Sequence, residues 1–469
     1  MTPGARTQAA IELIGQILQA WQSEKRIPAD KLLEGYFKSH RYIGSKDRGA
    51  IAELVYWVLR HKASLEWWIA KVEGDMHARA MVITALMLRK EFTVHELMAM
   101  TQDSQYSLPS LTPAEVKRCE KLTNPSPVSG GGREGVPQEK SSPVTHPLPN
   151  PPPETGEGIT RNDMPDHVRL NYPEWLDAKL RESFGDKFEV AMRTLNEQAP
   201  TDLRVNTLKT TREELLAELR KEGFECEPGT FSPVGIRLAK RGPIFATPVF
   251  KLGHFEVQDE GSQMVAALVD AAPGHKVIDF CAGAGGKTLA MAAAMKNKGR
   301  VLAWDTSEKR LGQMKDRLKR AGVDNVQTHA ITSEHDAFIK RHKETADRVL
   351  VDAPCSGTGT WRRNPDLKWR FTPQDLEEVM EVQQAILQSA VRLVKPGGRL
   401  VYATCSILKD ENERQIERLL KTINNFRVVC ARKVWDKNPI NETDEVSFLW
   451  VTPHEDGVDG FFGAVLERT

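Results

Sequence analysis

A chain of 469 residues is too long for one ordinary domain, and length alone points to about three. Lys plus Arg number 65 against 64 for Asp plus Glu, so no global field draws this protein to nucleic acid and any RNA contact must come from local patches. Six cysteines without a C-x-x-C pair, and no His cluster at metal spacing, argue against a disulfide framework and a zinc site.

No apolar run reaches transmembrane length, and the first residues, MTPGARTQAAIELIGQIL, are amphipathic. A soluble, cytoplasmic monomer is expected, with no membrane and no metal. From Thr7 to about Leu122 the apolar spacing is helical: Ile11, Ile14, Leu18 and Trp21 share one face, and Ile51, Leu54, Val55 and Val58 repeat it. Between Glu24 and Lys62 nine Lys or Arg stand against five acids, which suits either a solvated helix surface or a face that tracks RNA phosphates. The stretch SKDRGAIAELVYWVLRHKASLEWWI resembles the NusB-like RNA-binding domain, a helical bundle that some rRNA methyltransferases carry at the N-terminus. An all-α domain is expected over 1–123.

Residues 124–160, rich in Pro, Gly and Ser with hardly any large apolar side chain, cannot bury enough surface to offset chain entropy. They read as a disordered linker, or as a proline-rich docking site. A small α+β subdomain is expected over 161–255, with Pro173 placed to start a helix, a strand at LRVNTL and a helix capped near Thr210 or Thr211. Its Arg204, Asn206, Lys209 and Arg212 suit RNA phosphates or a plain surface charge set. Gln258, Asp259, Glu260 and Ser262 then crowd an element junction, where they can cap a helix or line a pocket.

Over 256–469 the pattern becomes strand, turn, helix. KVIDFCAGAGGKT runs from an apolar strand ending in Asp279 through Cys281, Ala282, Gly283, Ala284, Gly285, Gly286 and Lys287 into a helix near Thr288. Small residues there let a ligand approach the backbone, and the helix start offers free N–H groups. A Walker A loop would need glycine at 281, where Cys281 stands; a dinucleotide G-x-G-x-x-G from Gly283 and Gly285 ends on Thr288 instead of glycine. The nucleoside-cofactor loop of a methyltransferase has no missing residue. Asp305 closes the next strand, about 20 residues on, where an acid can accept from ribose hydroxyls of NAD or S-adenosylmethionine, or cap the following helix.

The elements that follow alternate: VLAW, SEKRLGQMKDRLKRAG, VQTHA, a short helix, RVLVDA, a long helix through Glu377–Val394, RLVYAT and ENERQIERLLKTI, with FLWVTP and GFFGAVLER as closing strands. This predicts an α/β class with a parallel sheet covered on both faces and a ligand at the carboxyl ends of its strands, where Asp279, Asp305, Asp352 and Cys405 converge. Two strands there end in DAPCSGTG and ATCS, placing Cys355 and Cys405 at neighbouring tips. C5 of cytosine is not nucleophilic until a group adds to C6, and a thiolate supplies that addition. Cys119, Cys226, Cys281 and Cys430 read as inert small hydrophobes. Trp361, Arg362, Arg363, Lys368, Trp369 and Arg370 interleave aromatics with cations, which suits a flipped base and its phosphates or simply core packing.

DFCAGAGGKT, Asp305, LVDAPCSGTGTWRRNPDLKW, GGRLVYATCSILKDENE and DGFFGAVLER together resemble the Sun/Fmu/Nop family of RNA (cytosine-5)-methyltransferases, from about Met164 onward. With the NusB-like stretch in front, the chain is similar to the RsmB-type 16S rRNA branch. The resemblance implies a Rossmann-like S-adenosylmethionine-dependent catalytic domain acting on RNA, with rRNA as substrate and tRNA as the alternative. It also implies Cys405 as nucleophile, Cys355 as the thiol assisting release, Asp352 on the cytosine edge, and residues 281–287 with Asp305 on the cofactor. Two positions depart from the family: Ala284 stands where proline is usual, and Thr332 stands at the third-strand tip where an acid usually holds adenine. The competing classes are an NAD-dependent oxidoreductase, which has no use for two rim thiols, and a non-catalytic ribosome-assembly factor, which would lack a cysteine or an intact loop.

Overall fold

The computed structural model describes residues 1–23, 26–72, 74–101, 107–123, 163–434 and 448–469; the linker read at 124–160 lies outside them. The described chain forms two compact units, Met1–Asp177 with Pro365–Arg370, and Ala178–Asn364 with Phe371–Thr469.

The first unit is helical. Its longest helix, Pro3–Trp21, starts where Thr2 accepts from the Ala5 N–H and Pro3 occupies the first turn. Its buried stripe is Ala10, Leu13, Ile14 and Ile17, so Ile11, Leu18 and Trp21 flank the core instead of filling it. In Ser45–Arg60 the expected set Ile51, Leu54, Val55 and Val58 is buried. Ala78–Leu88 buries seven successive residues, Met81 to Met87, because it runs through the centre of the bundle. Pro365–Arg370 docks on these helices. Trp369 Nε1 donates to Leu59 O at 2.6 Å, Lys368 Nζ to Asn171 O at 3.1 Å, and the Ala29 N–H to Asp366 Oδ2 at 3.2 Å.

The second unit holds two sheets. The smaller is antiparallel, in the order β2-β3-β1-β4, from β1 (Thr201–Val205), β2 (Cys226–Pro228), β3 (Gly235–Leu238) and β4 (Phe255–Val257). Helix Arg212–Lys221 packs Leu215, Leu216 and Leu219 on it, started by a reciprocal cap between Thr211 and Glu214.

The larger sheet comprises β5 (Lys276–Asp279), β6 (Arg300–Asp305), β7 (Val326–Ala330), β8 (Ala346–Asp352), β9 (Val394–Thr404), β10 (Phe426–Val429), β11 (Leu449–Val451) and β12 (Phe461–Arg468). The order is β10-β12-β9-β8-β5-β6-β7, with β11 also paired to β12. β5 to β9 pair in parallel, as the alternation predicts. The sheet is nevertheless mixed, because β12 runs antiparallel to β9, β10 and β11.

Side-chain alternation sends Val277, Val301, Leu350, Val401 and Val465 to one face, under Met264, Val265, Leu268 and Met291, and sends Ile278, Leu302, Val349, Leu400 and Leu466 to the other, under Ile386, Leu387, Ile416 and Leu419. Each such side chain, fully buried, contributes about 1.5–3 kcal/mol, which makes the strands a rigid base for the loops at their carboxyl ends. Those loops begin at Asp279, Asp305, Asp352 and Thr404, and β12, reversed, brings its first residue to the same rim.

Candidate active site

The glycine loop after β5 is shaped by backbone bonds. The Ala282 N–H donates to Trp304 O, and the Gly283 N–H to Asp305 Oδ2, both at 2.8 Å. Gly285, at φ +85°, ends the loop and caps helix Gly286–Ala294; a Cβ there would lie 2.4 Å from Met314 Cγ. Two arginines hold the loop's carbonyls: Arg317 donates to Ala284 O and the buried Arg204 to Gly286 O, each at 2.6 Å. Arg317 is itself paired with Glu256 of β4 at 2.9 Å. The loop without proline at 284 is therefore braced from outside.

The small subdomain's polar set divides: Arg204 and Asn206 are buried, while Lys209 stays exposed. Arg204 supports the loop, Asn206 donates to Gly253 O and Ala321 O, and Lys209 donates to Leu252 O and Arg320 O, so these three tie backbone together. The Trp361–Arg370 stretch is likewise internal. Trp361, Arg362 and Lys368 are buried, Arg363 binds Asp259 and Asp459, and Trp369 and Arg370 are bonded to Leu59 and Asp366.

Asp279 is buried, takes the Thr288 hydroxyl on Oδ2 at 2.7 Å, and leaves Oδ1 without a partner among the described residues. Burial, with Asp352 and Asp305 nearby, pushes its carboxyl up to about 7. Asp305 does not cap the following helix; Ser307 does, and Asp305 instead accepts from Gly283 and Ser307 N–H groups, with Arg310 at 3.2 Å from Oδ1. At the tip of β7, Thr332 is exposed and gives its N–H and hydroxyl to Asp336, at 2.8 and 3.0 Å. Asp336 thus supplies an acid at this tip, four residues after the position the resemblance indicates.

At the centre, Cys355 Sγ and Cys405 Sγ lie 3.3 Å apart, both half-buried. The contact follows from β8 and β9 being parallel neighbours in register, with Asp352 opposite Ala403. The hydrogen bond with Cys405, then burial, pushes the Cys355 thiol well above its usual range. Lys287 Nζ reaches Asp352 Oδ2 at 2.6 Å. Burial works against that ammonium, but Asp352 outweighs it and holds it above its ordinary value. Lys287, expected with the cofactor loop, is in this structure the partner of Asp352. Cys281 packs against the core, its thiol raised by burial and then by Asp279, Asp352 and Asp305.

Close approach completes the rim. Gly359 and Gly460 stack backbone on backbone, and a Cβ on Gly359 would meet Gly460 O at 2.2 Å, so the loop after β8 rests on the start of β12. The residues that composition did not single out are Glu411 and Asn412. Glu411, fully buried, accepts from Ser356 N–H at 2.8 Å and from the hydroxyls of Ser356 and Ser406; Asn412 bonds Thr404 and Ser406. The only signal in the sequence was the acid-rich turn after ATCS. Among the described residues no group of three or more His, Cys, Asp or Glu is placed to hold a metal ion, and no helix is long and apolar enough to cross a membrane.

Residues 266–467 match the family described as 16S rRNA methyltransferase RsmB/F, and residues 172–245 match the ferredoxin-like domain of RsmF/B-like methyltransferases. The chain is 31% identical over 471 residues to ribosomal RNA small subunit methyltransferase B of Pectobacterium atrosepticum, covering 98% of this chain and 97% of that one. Among solved structures, that of PH0851 covers 100% of this chain and 99% of its own at TM-score 0.73 and 25% identity. A methyltransferase homolog protein from Pyrococcus horikoshii covers 66% of this chain and 100% of its own at TM-score 0.57 and 28% identity.

Proposed function

Because the chain belongs to the ribosomal RNA small subunit methyltransferase B family, we propose that it methylates C5 of a cytosine in 16S rRNA through a covalent bond from Cys405 to C6. The observation that carries this reading is the 3.3 Å contact between two thiols at the tips of β8 and β9, beside the Lys287–Asp352 pair. A hydride-transferring enzyme has no role for them.

The loop suits S-adenosylmethionine. Cys281 to Gly286 offer a small-residue backbone cradle, Asp305 an acceptor for ribose hydroxyls once Arg310 swings aside, and the orphaned Oδ1 of Asp279 an acceptor for a donor group of the ligand. Asp336, folded onto Thr332, offers an acid for the adenine end. When bound, that cofactor supplies an electrophilic methyl group.

The chain's own residues do the rest. Asp352, held by Lys287, fixes the cytosine edge. Cys405 adds to C6 as the thiolate, which moves electron density to C5. Cys355 assists the later step, in which the C5 proton passes to a base, its electron pair re-forms the C5–C6 double bond and the Cys405–C6 bond breaks with its pair returning to the Cys405 sulfur. Cys405→Ala then abolishes both methyl transfer and any protein–RNA adduct, while cofactor binding persists. Cys355→Ala stalls as an adduct that survives denaturing electrophoresis and disappears in the double variant. An adduct in the Cys405 variant alone would reverse the two roles. Bisulfite sequencing of RNA from a deletion strain should show one 16S rRNA cytosine losing its mark; loss confined to a tRNA would assign the enzyme to tRNA.

A further inference from the structure

Besides their bond to each other, the two thiols are held by the bonds of the residues on either side of each. Before Cys355, Pro354 O accepts from Gln383 Nε2 at 2.9 Å; after it, Ser356 gives its N–H to Glu411 Oε1 at 2.8 Å and its hydroxyl to Glu411 Oε2 at 2.5 Å. Before Cys405, Thr404 Oγ1 donates to Asn412 Oδ1 at 2.6 Å; after it, Ser406 O accepts from Asn412 Nδ2 at 2.9 Å, and the Ser406 hydroxyl donates to the same Glu411 Oε2. Gln383 Nε2 also reaches Glu411 Oε1, at 3.0 Å. One carboxylate therefore takes four hydrogen bonds and joins the loop after β8 to the loop after β9.

We propose that Glu411 is the positioning residue of the reaction: it staples Ser356 to Ser406 and thereby sets the separation and aim of Cys355 and Cys405. The proposal rests on the covalent reading above. Its physical basis is the cost of the arrangement. A carboxylate with 0% exposure whose hydrogen bonds come from Ser, Gln and backbone donors is expensive to bury, and apolar packing would stabilise the fold as well. What apolar packing cannot do is tie two separate loops at fixed hydrogen-bond distances. Reacting groups must be held within about 0.5 Å of productive geometry, and cysteines on turns need that from their neighbours. Burial raises the Glu411 carboxyl, and the Ser356 and Ser406 bonds pull it back.

The test uses the full-length chain carrying Cys355→Ala, in which release is blocked, so that adduct formation on unmodified 16S rRNA transcript with S-adenosylmethionine reports the steps up to methyl transfer. Adding Glu411→Gln or Ser406→Ala should slow adduct formation at saturating RNA tenfold or more, with half-saturation by RNA moved less than threefold. Combining the two should cost no more than the worse of them, because both break the same staple. Ser406→Ala removes a single hydroxyl and carries the test should Glu411→Gln not fold. With both cysteines intact and no RNA, diamide, which takes one hydrogen from each thiol as the disulfide forms, should join Cys355 to Cys405 several-fold more slowly in Glu411→Gln and Ser406→Ala. Unchanged adduct and diamide rates, losses that multiply, or RNA affinity falling in step with rate would overturn the staple. Absence of any adduct in the Cys355→Ala parent would instead overturn the covalent reading, and the diamide rates would still decide the staple.

Discussion

Asp279 shows how one buried atom couples the site to stability. Its carboxyl is lifted from 3.8 to about 7, so the folded chain holds a proton that the unfolded chain has released. That contribution is fully present below about pH 4 and is lost as pH rises through about 7. In cofactor-free protein the unfolding free energy should therefore drop by about 2 kcal/mol between pH 5.5 and 8 on account of this group. Asp279→Asn, which keeps an acceptor for Thr288, should flatten that slope in urea titrations at the two pH values. An equal slope in the variant would show that Asp279 is charged throughout. The same scale explains why the partners of Lys287 and Arg204 were not readable from composition. A cation's sequence neighbours say that it is charged, whereas its partner, such as Asp352 for Lys287 or Gly286 O for Arg204, is supplied by another element.

At the scale of elements, the glycine loop distinguishes two neighbouring glycines. Gly285→Ala places a methyl 2.4 Å from Met314 Cγ at a left-handed φ, and should destabilise the chain by about 2–4 kcal/mol and weaken cofactor binding. Gly286→Ala meets only Gln258 Nε2 at 3.7 Å and should be mild. Denaturant unfolding and calorimetric titration with S-adenosylmethionine check both; similar losses in the two variants would mean that the loop is sensitive to any side chain. The β-strands were readable because apolar runs such as LVYA and RVLV need both faces covered. Strand direction was not readable for β12, since GFFGAVLER has the same pattern either way; its pairing with β9 made it antiparallel.

At the scale of the molecule, the first unit is completed by residues that come late in the chain. The Trp369 indole N–H bonds Leu59 O at 2.6 Å, and Asp366 caps the helix at Ala29, so Pro365–Arg370 acts as part of the helical bundle. Trp369→Phe keeps the ring and loses that bond, which should cost about 1–3 kcal/mol and speed proteolysis near residues 365–370. Unchanged cleavage would show that the segment is held by its other contacts.

The sequence by itself determined the order of strands and helices, the glycine loop, the two thiol motifs and the family they resemble. These are local patterns, written in residues close together and limited by sterics and periodicity. Only the tertiary structure decided that Cys355 meets Cys405, that Lys287 pairs with Asp352, that Asp336 returns to Thr332, and that Glu411 joins Ser356 to Ser406. Most of these partners are separated by 50 or more residues, and parallel strands in register bring them together. A buried carboxylate looks in sequence like any surface acid, because what makes it structural is the water it has lost.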